Sequence, residues 1–126
     1  MKRTVLFLLV MLFLFVGCTG AASVPSYTQI SQDEAKNMID TQNVIILDVR
    51  EQYEFDEGHI SNAVLLPVGE ITESSAAAVI PTQEDVVLVY CRSGNRSKAA
   101  SQKLAELGYA NVYEFGGINT WPYEVE

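Results

Sequence analysis

Residues 86–97 have the sequence VVLVYCRSGNRS, in which an apolar run is followed by a polar turn that carries a cysteine. The run from Val86 to Tyr90 predicts a strand covered on both faces. Cys91 comes next, and residues 97–107 predict a helix that ends at Gly108. We therefore expect the thiol on a tight turn between a strand and a helix. Backbone N–H groups and the positive end of the helix dipole would stabilise an anion there.

The rest of the chain alternates in the same way between short apolar runs and helical segments. Strands are predicted at 27–30, 44–49, 63–66 and 112–115, and helices at 31–40, 51–57 and 70–79, with a last helical turn at 118–123. Gly116-Gly117 predicts a turn between the strand at 112–115 and the helical turn at 118–123. The pattern predicts one three-layer α/β domain over 28–126, with about five mostly parallel strands flanked by helices. Asp48 and Cys91 both lie at the carboxyl ends of predicted strands, where the functional loops of such sheets cluster.

The amino terminus has the pattern of a secretory signal peptide over residues 1–22. Two basic residues precede an apolar run of thirteen residues, from Thr4 to Val16, and small residues follow. Two processing outcomes remain open. Phe15-Val16-Gly17-Cys18 resembles the bacterial lipobox, which would make Cys18 the lipidated first residue, and the alternative is cleavage after Ala22. Residues 23–27 then form a tether, and we expect an exported, periplasmic or cell-envelope protein with a lipid anchor at Cys18.

Charge is distributed unevenly along the chain. The formal net charge is −8, which argues against nucleic acid or anionic lipid head groups as general partners. Most basic residues outside the signal peptide nevertheless lie close to Cys91 in sequence; they are Arg92, Arg96, Lys98 and Lys103. This asymmetry indicates a small anionic substrate drawn to a local positive site, although the two lysines also fit a solvated helix face.

Cys91 is the one cysteine of the predicted domain, so it has no disulfide partner there. Exported thiols are normally paired, so a lone one indicates reactive chemistry. The alternative is a buried core cysteine, which is common. The turn chemistry after Tyr90 favours the reactive interpretation.

Three motifs together resemble the single-domain rhodanese family, the thiosulfate sulfurtransferases, over about residues 28–123. The first is Leu47-Asp48-Val49-Arg50 with Tyr53-Glu54-Phe55 and Gly58-His59-Ile60-Ser61-Asn62-Ala63. The second is the loop Cys91 to Ser97, and the third is Gly116-Gly117-Ile118 with Trp121. The family has a five-stranded parallel sheet between helices, in agreement with the pattern above.

The resemblance implies a ping-pong sulfur transfer through a Cys91 persulfide. A small anionic donor such as thiosulfate would supply the sulfur, and cyanide, a thiol or a protein would accept it. Loop amides from Ser93 to Ser97, including those of Gly94 and Asn95, would form an anion nest. Arg92 and Arg96 would bind the oxyanion end of the donor, because a planar guanidinium suits it. A non-enzymatic persulfide carrier or partner-binding module is the alternative.

Loop length argues against rhodanese-fold phosphatases and arsenate reductases. Those enzymes need five residues between the cysteine and the arginine to surround a tetrahedral oxyanion, whereas four separate Cys91 from Arg96. The histidine that usually precedes a phosphatase cysteine is also absent, because Tyr90 stands there.

The remaining motif residues have structural interpretations. Asp48 and Arg50 are expected to fix loops at the strand end, with an ion pair as one arrangement. His59 is expected to orient its turn by hydrogen bonds rather than to act as a base. Trp121 should pack the last helical turn on the core. The sequence shows no metal-ligand spacing and no nucleotide-binding glycine pattern, so neither a metal nor another cofactor is expected.

Overall fold

The computed structural model describes residues 24–126 as an α/β domain. The predicted signal peptide, the candidate lipidation residue Cys18 and the first tether residue lie outside the described range. The strands are β1 (Thr28–Gln29), β2 (Ile45–Asp48), β3 (Val64–Leu65), β4 (Val86–Cys91) and β5 (Asn111–Gly117). The helices are α1 (Gln32–Thr41), α2 (Gln52–Glu57), α3 (Glu73–Val79) and α4 (Asn95–Glu106), with 3-10 turns at Val68–Glu70 and Ile118–Thr120.

The five strands form one sheet in the order β1-β5-β4-β2-β3. Every neighbouring pair in it is parallel, which confirms the predicted fold class. β4 is therefore the central strand, and its residues from Val87 to Cys91 are at most 1% exposed. Because the strands are parallel, the loops after β2 and β4 emerge at the same edge of the sheet.

The two faces of β4 belong to separate apolar clusters. Val87, Val89 and Cys91 pack with residues of α3 and α4, such as Ala76 and Leu104. Leu88 and Tyr90 face the other side, where they pack with Ala35 of α1, Phe115 of β5 and Trp121. The alternation of side chains along a strand thus produces the three layers that the sequence predicts. It also directs Cys91 toward α4.

Several element boundaries differ from the sequence prediction. α4 begins at Asn95, two residues early, because Gly94 adopts a left-handed conformation with φ of 111° and starts the helix. The segment expected as one helix over 70–79 is divided, because Thr72 caps α3. β5 continues through the predicted Gly116-Gly117 turn, with a register shift in its pairing beside Cys91. The last helical turn ends at Thr120.

Within residues 24–126, no helix has the length and apolar character needed to cross a membrane. His, Cys, Asp and Glu side chains of the same range form no group of three that could hold a metal ion.

Candidate active site around Cys91

Cys91 lies at the carboxyl end of the central strand and is 1% exposed. The alternative interpretation, a buried core cysteine, is thus right about burial. Its sulfur nevertheless has polar neighbours: the Gly94 N–H donates to Sγ over 3.1 Å, and Ser97 Oγ lies 3.3 Å from Sγ. The thiol is therefore buried inside a polar loop rather than in a purely apolar core.

The balance of these contacts lowers the pKa of the Cys91 thiol. Burial acts in the opposite direction and raises it. Hydrogen bonds from the Ser97 hydroxyl and from the amides of Ser97, Gly94 and Ser93 outweigh burial. The loop thus favours the thiolate, which is the reactive form of cysteine.

Two glycines allow the loop to approach β5 closely. Gly94 is buried and occupies the left-handed region, which disfavours other residues. Gly117 contacts the loop backbone so tightly that a Cβ atom would lie 1.9 Å from the Arg92 carbonyl oxygen. The Asn119 N–H donates to that same oxygen over 3.2 Å. The closing motif Gly116-Gly117-Ile118 therefore supports the cysteine loop directly.

The two loop arginines have different surroundings. Arg96 forms a bidentate pair with Glu54 of α2, with Nη1–Oε1 and Nη2–Oε2 distances of 2.6 and 2.9 Å. The Arg96 guanidinium lowers the pKa of the Glu54 carboxyl to about 2. Arg92 is exposed and forms no side-chain hydrogen bond or ion pair within residues 24–126. The sequence predicts the same role for both arginines. In the structure the Arg96 guanidinium is paired with the Glu54 carboxylate, whereas the Arg92 guanidinium has no such partner within residues 24–126.

The remaining loop residues divide between backbone and side-chain contacts. Ser97 is fully buried, and its hydroxyl touches the sulfur. Ser93 and Asn95 are exposed, and Asn95 opens the first turn of α4. All of these residues are predicted from the sequence as anion ligands, and the structure brings the amides of Ser93, Gly94 and Ser97 to the Cys91 sulfur.

A buried polar network lies at the end of β2, as the Asp48–Arg50 prediction anticipates. Arg50 Nη2 donates to Asp48 Oδ2 over 2.7 Å and to the Gly58 carbonyl oxygen over 2.7 Å. The Tyr90 hydroxyl donates to Asp48 Oδ2 over 2.6 Å and accepts from the Ile60 N–H over 3.0 Å. Burial, followed by the bond to Asp48, raises the pKa of Tyr90 above its ordinary range. These groups fix the loops next to the site without touching the sulfur.

His59 is held in its turn by a hydrogen bond and by ring stacking. Its Nδ1 lies 2.9 Å from the Phe55 carbonyl oxygen, and its ring stacks on the Phe55 ring with 3.7 Å between centroids. The backbone N–H of His59 donates to the Glu126 carbonyl oxygen over 2.9 Å. Trp121 packs against Phe115 with 5.4 Å between ring centroids, as expected.

Three polar residues near Cys91 were not predicted as part of the site. Glu54 stands in the Tyr53-Glu54-Phe55 motif, which is the signal that could have identified it as the partner of Arg96. Tyr90 is a polar residue at the end of an apolar strand, and its hydroxyl required a partner. Glu114 is a charged residue inside the apolar β5 pattern, and it is 3% exposed. Its charge within an otherwise apolar strand is the signal that could have identified Glu114 as part of the site.

Two clefts flank the cysteine loop. One, of ≈ 250 Å³, includes Arg50, Tyr53, Glu54 and Arg92 among its lining residues. The other, of ≈ 520 Å³, is lined by parts of α1, β5 and the loop, including Ser93, Gly94 and Lys98. The first contains the guanidinium of Arg92, and the second contains the ammonium of Lys98.

These features define an α/β domain whose central strand ends in a cysteine at the head of a loop with backbone amides near its sulfur. The profile of the rhodanese-like domain matches residues 31–123. The chain therefore belongs to the rhodanese-like domain family.

Individual relatives agree with this assignment. Thiosulfate sulfurtransferase GlpE of Coxiella burnetii is 40% identical over 96 residues, which cover 75% of this chain and 87% of the relative. Thiosulfate sulfurtransferase PspE of Escherichia coli is 38% identical over 72 residues, or 57% and 68% of the two chains. The chain also resembles 26% of the length of a tRNA uridine(34) hydroxylase of Yersinia pestis, at 33% identity.

A solved structure described as rhodanese with anions from E. coli superposes with a TM-score of 0.62. It is 28% identical and covers 67% of this chain and 98% of its own length. The likeness supports the five-stranded fold described above.

Proposed function

We propose that this protein is a sulfurtransferase that carries sulfane sulfur as a Cys91 persulfide. The Cys91 thiolate attacks the outer sulfur of thiosulfate, so that an S–S bond forms on the enzyme and the donor's S–S bond breaks to release sulfite. An acceptor then attacks the terminal sulfur of the persulfide and regenerates the thiolate. With cyanide the product is thiocyanate, and with a thiol it is a new persulfide.

The observation that carries this proposal is the hydrogen-bonded sulfur of Cys91. Amides at the start of α4 and the Ser97 hydroxyl surround the Sγ atom and lower the pKa of the thiol. The same donors fit a terminal persulfide sulfur, because it bears the same negative charge. The 40% identity to a thiosulfate sulfurtransferase supports the same chemistry.

Arg92 is proposed to bind the sulfonate end of the donor. Its exposed guanidinium lines the cleft beside the loop. Arg96 is proposed to act differently from the sequence prediction, since Glu54 occupies both of its terminal nitrogens. Its charge still lies near the sulfur, and the pair orients the first turn of α4.

A protein acceptor is the second candidate, and an exposed aromatic residue favours it. Tyr53 is 66% exposed and lines the same cleft as Arg92. Aromatic side chains at the mouth of a site are frequent anchors for a protein partner. Slow turnover with small acceptors, together with fast transfer to one protein, would identify the chain as a persulfide carrier.

Export and lipid anchoring at Cys18 are also proposed, and the sequence of residues 1–22 supports them. Labelling cells with a radioactive fatty acid should mark the wild type, and Cys18→Ala should lose the label. A mature chain that begins after Ala22 and carries no label would contradict anchoring while leaving the enzymatic proposal intact.

Turnover of thiosulfate and cyanide tests the enzymatic proposal. We expect thiocyanate formation by the wild type and its complete loss in Cys91→Ser, because a hydroxyl cannot carry sulfane sulfur. Cys18→Ser is the matched control and should keep full activity in the purified protein. Equal thiocyanate formation by wild type and Cys91→Ser would overturn the proposal. A phosphatase assay on the same samples checks the rival oxyanion chemistry.

A further inference from the structure

Glu114 is a buried carboxylate below the cysteine loop, and the sulfur-transfer steps above do not use it. It belongs to β5 and is 3% exposed. Its Oε1 accepts from the Ser97 hydroxyl over 2.7 Å and from the Gly116 N–H over 2.8 Å. Its Oε2 accepts from Gln29 Nε2 over 3.2 Å. A buried carboxylate is costly unless it is well paired, so its position next to the reactive loop calls for a role.

Ser97 connects Glu114 to the reactive sulfur. Its Oγ lies 2.7 Å from Glu114 Oε1 and 3.3 Å from Cys91 Sγ. A further neighbour is the Gly94 carbonyl oxygen at 2.9 Å. A hydroxyl has one proton to donate, so Ser97 serves one of these acceptors at a time. When it donates to Glu114, its lone pairs remain free to accept the Cys91 S–H.

We propose that Glu114 accepts the proton of Cys91 through Ser97 and is a positioning residue for formation of the thiolate. In the thiol form the Cys91 S–H donates to Ser97 Oγ, and the Ser97 O–H donates to Glu114. The sulfur proton moves to Ser97 Oγ while the hydroxyl proton moves to Glu114 Oε1. The result is a thiolate that accepts a hydrogen bond from Ser97, next to a neutral carboxylic acid. One proton leaves the sulfur, one arrives at the carboxylate, and no electron pair is lost.

Burial explains why such a relay is useful. Cys91 is 1% exposed, so bulk water has little access to the S–H bond. The transfer also avoids two neighbouring buried anions, because the carboxylate becomes neutral as the sulfur becomes charged. The role of the relay in catalysis rests on the proposed sulfur transfer. The proton transfer from Cys91 to Glu114 itself needs neither a sulfur donor nor a sulfur acceptor.

The other charged groups around the loop do not contact Ser97. α4 contributes Arg96, whose charge interacts with the thiolate, and Lys98, which lines the larger cleft with Glu114. α2 contributes Glu54, which is paired with Arg96. β1 contributes the uncharged Gln29. Among residues 24–126, Glu114 is the one carboxylate hydrogen-bonded to Ser97, which makes it the acceptor within reach.

The ultraviolet absorbance of the thiolate, followed against pH, tests this relay. The curve of Cys91→Ser is subtracted, which removes tyrosine and Cys18 contributions. We expect two steps in the wild type, because the first proton lost is shared between Cys91 and Glu114, and the second leaves two anions. Glu114→Gln should give a single step at a lower pH than the second wild-type step. Glu106→Gln, on the exposed end of α4, is the matched control and should keep two steps.

Ser97→Ala is a second variant and tests the connection rather than the carboxylate. It should also give a single step, shifted to higher pH, because the sulfur loses a hydrogen-bond donor. An infrared carboxylic-acid band that persists through the first thiolate step in the wild type, disappears with the second, and is absent in Glu114→Gln provides a measurement that does not depend on the variants' stability. A single step of equal midpoint in wild type and Glu114→Gln, with no such band, would overturn the proposal. The titration can give this result whether or not the protein turns over thiosulfate.

Discussion

At the residue scale, Cys91 combines burial with an environment that stabilises its anion. The backbone amide of Gly94 lies 3.1 Å from the sulfur, and the Ser97 hydroxyl lies at 3.3 Å. These donors come from the residues that start α4, so the same turn that begins the helix also prepares the thiolate. The backbone geometry of this turn therefore stabilises the Cys91 anion once it has formed.

Tyr90 provides a residue-scale prediction about stability. Tyr90→Phe removes a hydroxyl that donates to Asp48 and accepts from the Ile60 N–H. Two buried groups would lose a partner, so we expect unfolding to become easier by about 2 kcal/mol. Urea denaturation measures this change. Tyr113→Phe is the control, since Tyr113 is half-buried and its hydroxyl makes no hydrogen bond within residues 24–126; its change should stay below about 0.5 kcal/mol. Equal effects of the two substitutions would contradict the role of the network.

The position of Cys91 at a strand end, with backbone amides of the following turn near its sulfur, agrees with the sequence prediction, because both features follow from local spacing. It predicts the partners of Arg96, Ser97 and Asp48 less completely. Glu54 is forty-two residues from Arg96, and such pairing depends on how helices pack across the sheet. Glu114 reaches Ser97 only because β5 lies beside β4. A single sequence does not specify contacts of that range.

At the scale of elements, α2 and α4 are joined by the pair between Glu54 and Arg96. The pKa of Glu54 is lowered to about 2 from an ordinary value of 4.5. A carboxylate with a lowered folded-state pKa stabilises the fold above its unfolded pKa. That stabilisation is lost as the pH falls from about 4.5 toward about 2.

Glu54→Gln should therefore reduce stability at neutral pH and have little effect near pH 2. We expect about 1 kcal/mol, a value discounted because the Arg96 side chain is 34% exposed to screening water. Denaturation from pH 7 to pH 2 measures the difference from the wild type. Glu57→Gln, at an exposed position of the same helix, should show no stability difference from the wild type that shrinks as the pH falls. If the stability difference between Glu54→Gln and the wild type stays constant from pH 7 to pH 2, the ion pair is not its source.

Gly117 gives a second prediction at this scale, on the contact between β5 and the cysteine loop. In Gly117→Ala the new Cβ would meet the Arg92 carbonyl oxygen at 1.9 Å, so the loop backbone must move. We expect a loss of about 3 kcal/mol and of most sulfur-transfer activity. Gly69→Ala places its Cβ in open space and should change stability by less than about 0.5 kcal/mol. Thermal unfolding and the thiocyanate assay measure the stability and activity of both variants. Full activity in Gly117→Ala would contradict the close approach of β5 to the cysteine loop.

The same contact explains why one element boundary was wrong. Two consecutive glycines predict a turn, because glycine tolerates backbone angles that other residues avoid. Gly116 has such an angle, with φ of 91°, but Gly117 pairs with Cys91 in the sheet. Glycine is needed at position 117 because it has no side chain, rather than because of its backbone flexibility. Sequence pattern does not distinguish these two reasons.

At the scale of the whole molecule, the position of each charge counts for more than the net charge of −8. Arg92 is exposed at the cleft beside the loop, whereas Lys36 lies on α1, which packs on the opposite face of the sheet from Cys91. Removing either cation changes the net charge equally. Only the first change alters the potential at the cleft where we propose that the donor binds.

Arg92→Ala should therefore reduce kcat/KM for thiosulfate about tenfold at low salt, which is about 1.4 kcal/mol, whereas Lys36→Ala should change it little. The difference between the variants should diminish toward 1 M salt, where the Debye length is about 3 Å. Steady-state kinetics at several salt concentrations measure this. Equal losses in the two variants would assign the effect to net charge instead.

The mass of the intact protein after incubation with thiosulfate tests the central claim most directly. The proposed chemistry predicts that wild type gains one sulfur atom, that peptide mapping places it on Cys91, and that cyanide removes it. Cys91→Ser should gain nothing, and Cys18→Ser should gain as much as the wild type. A wild-type protein that folds correctly and gains no sulfur at Cys91 would contradict the persulfide mechanism.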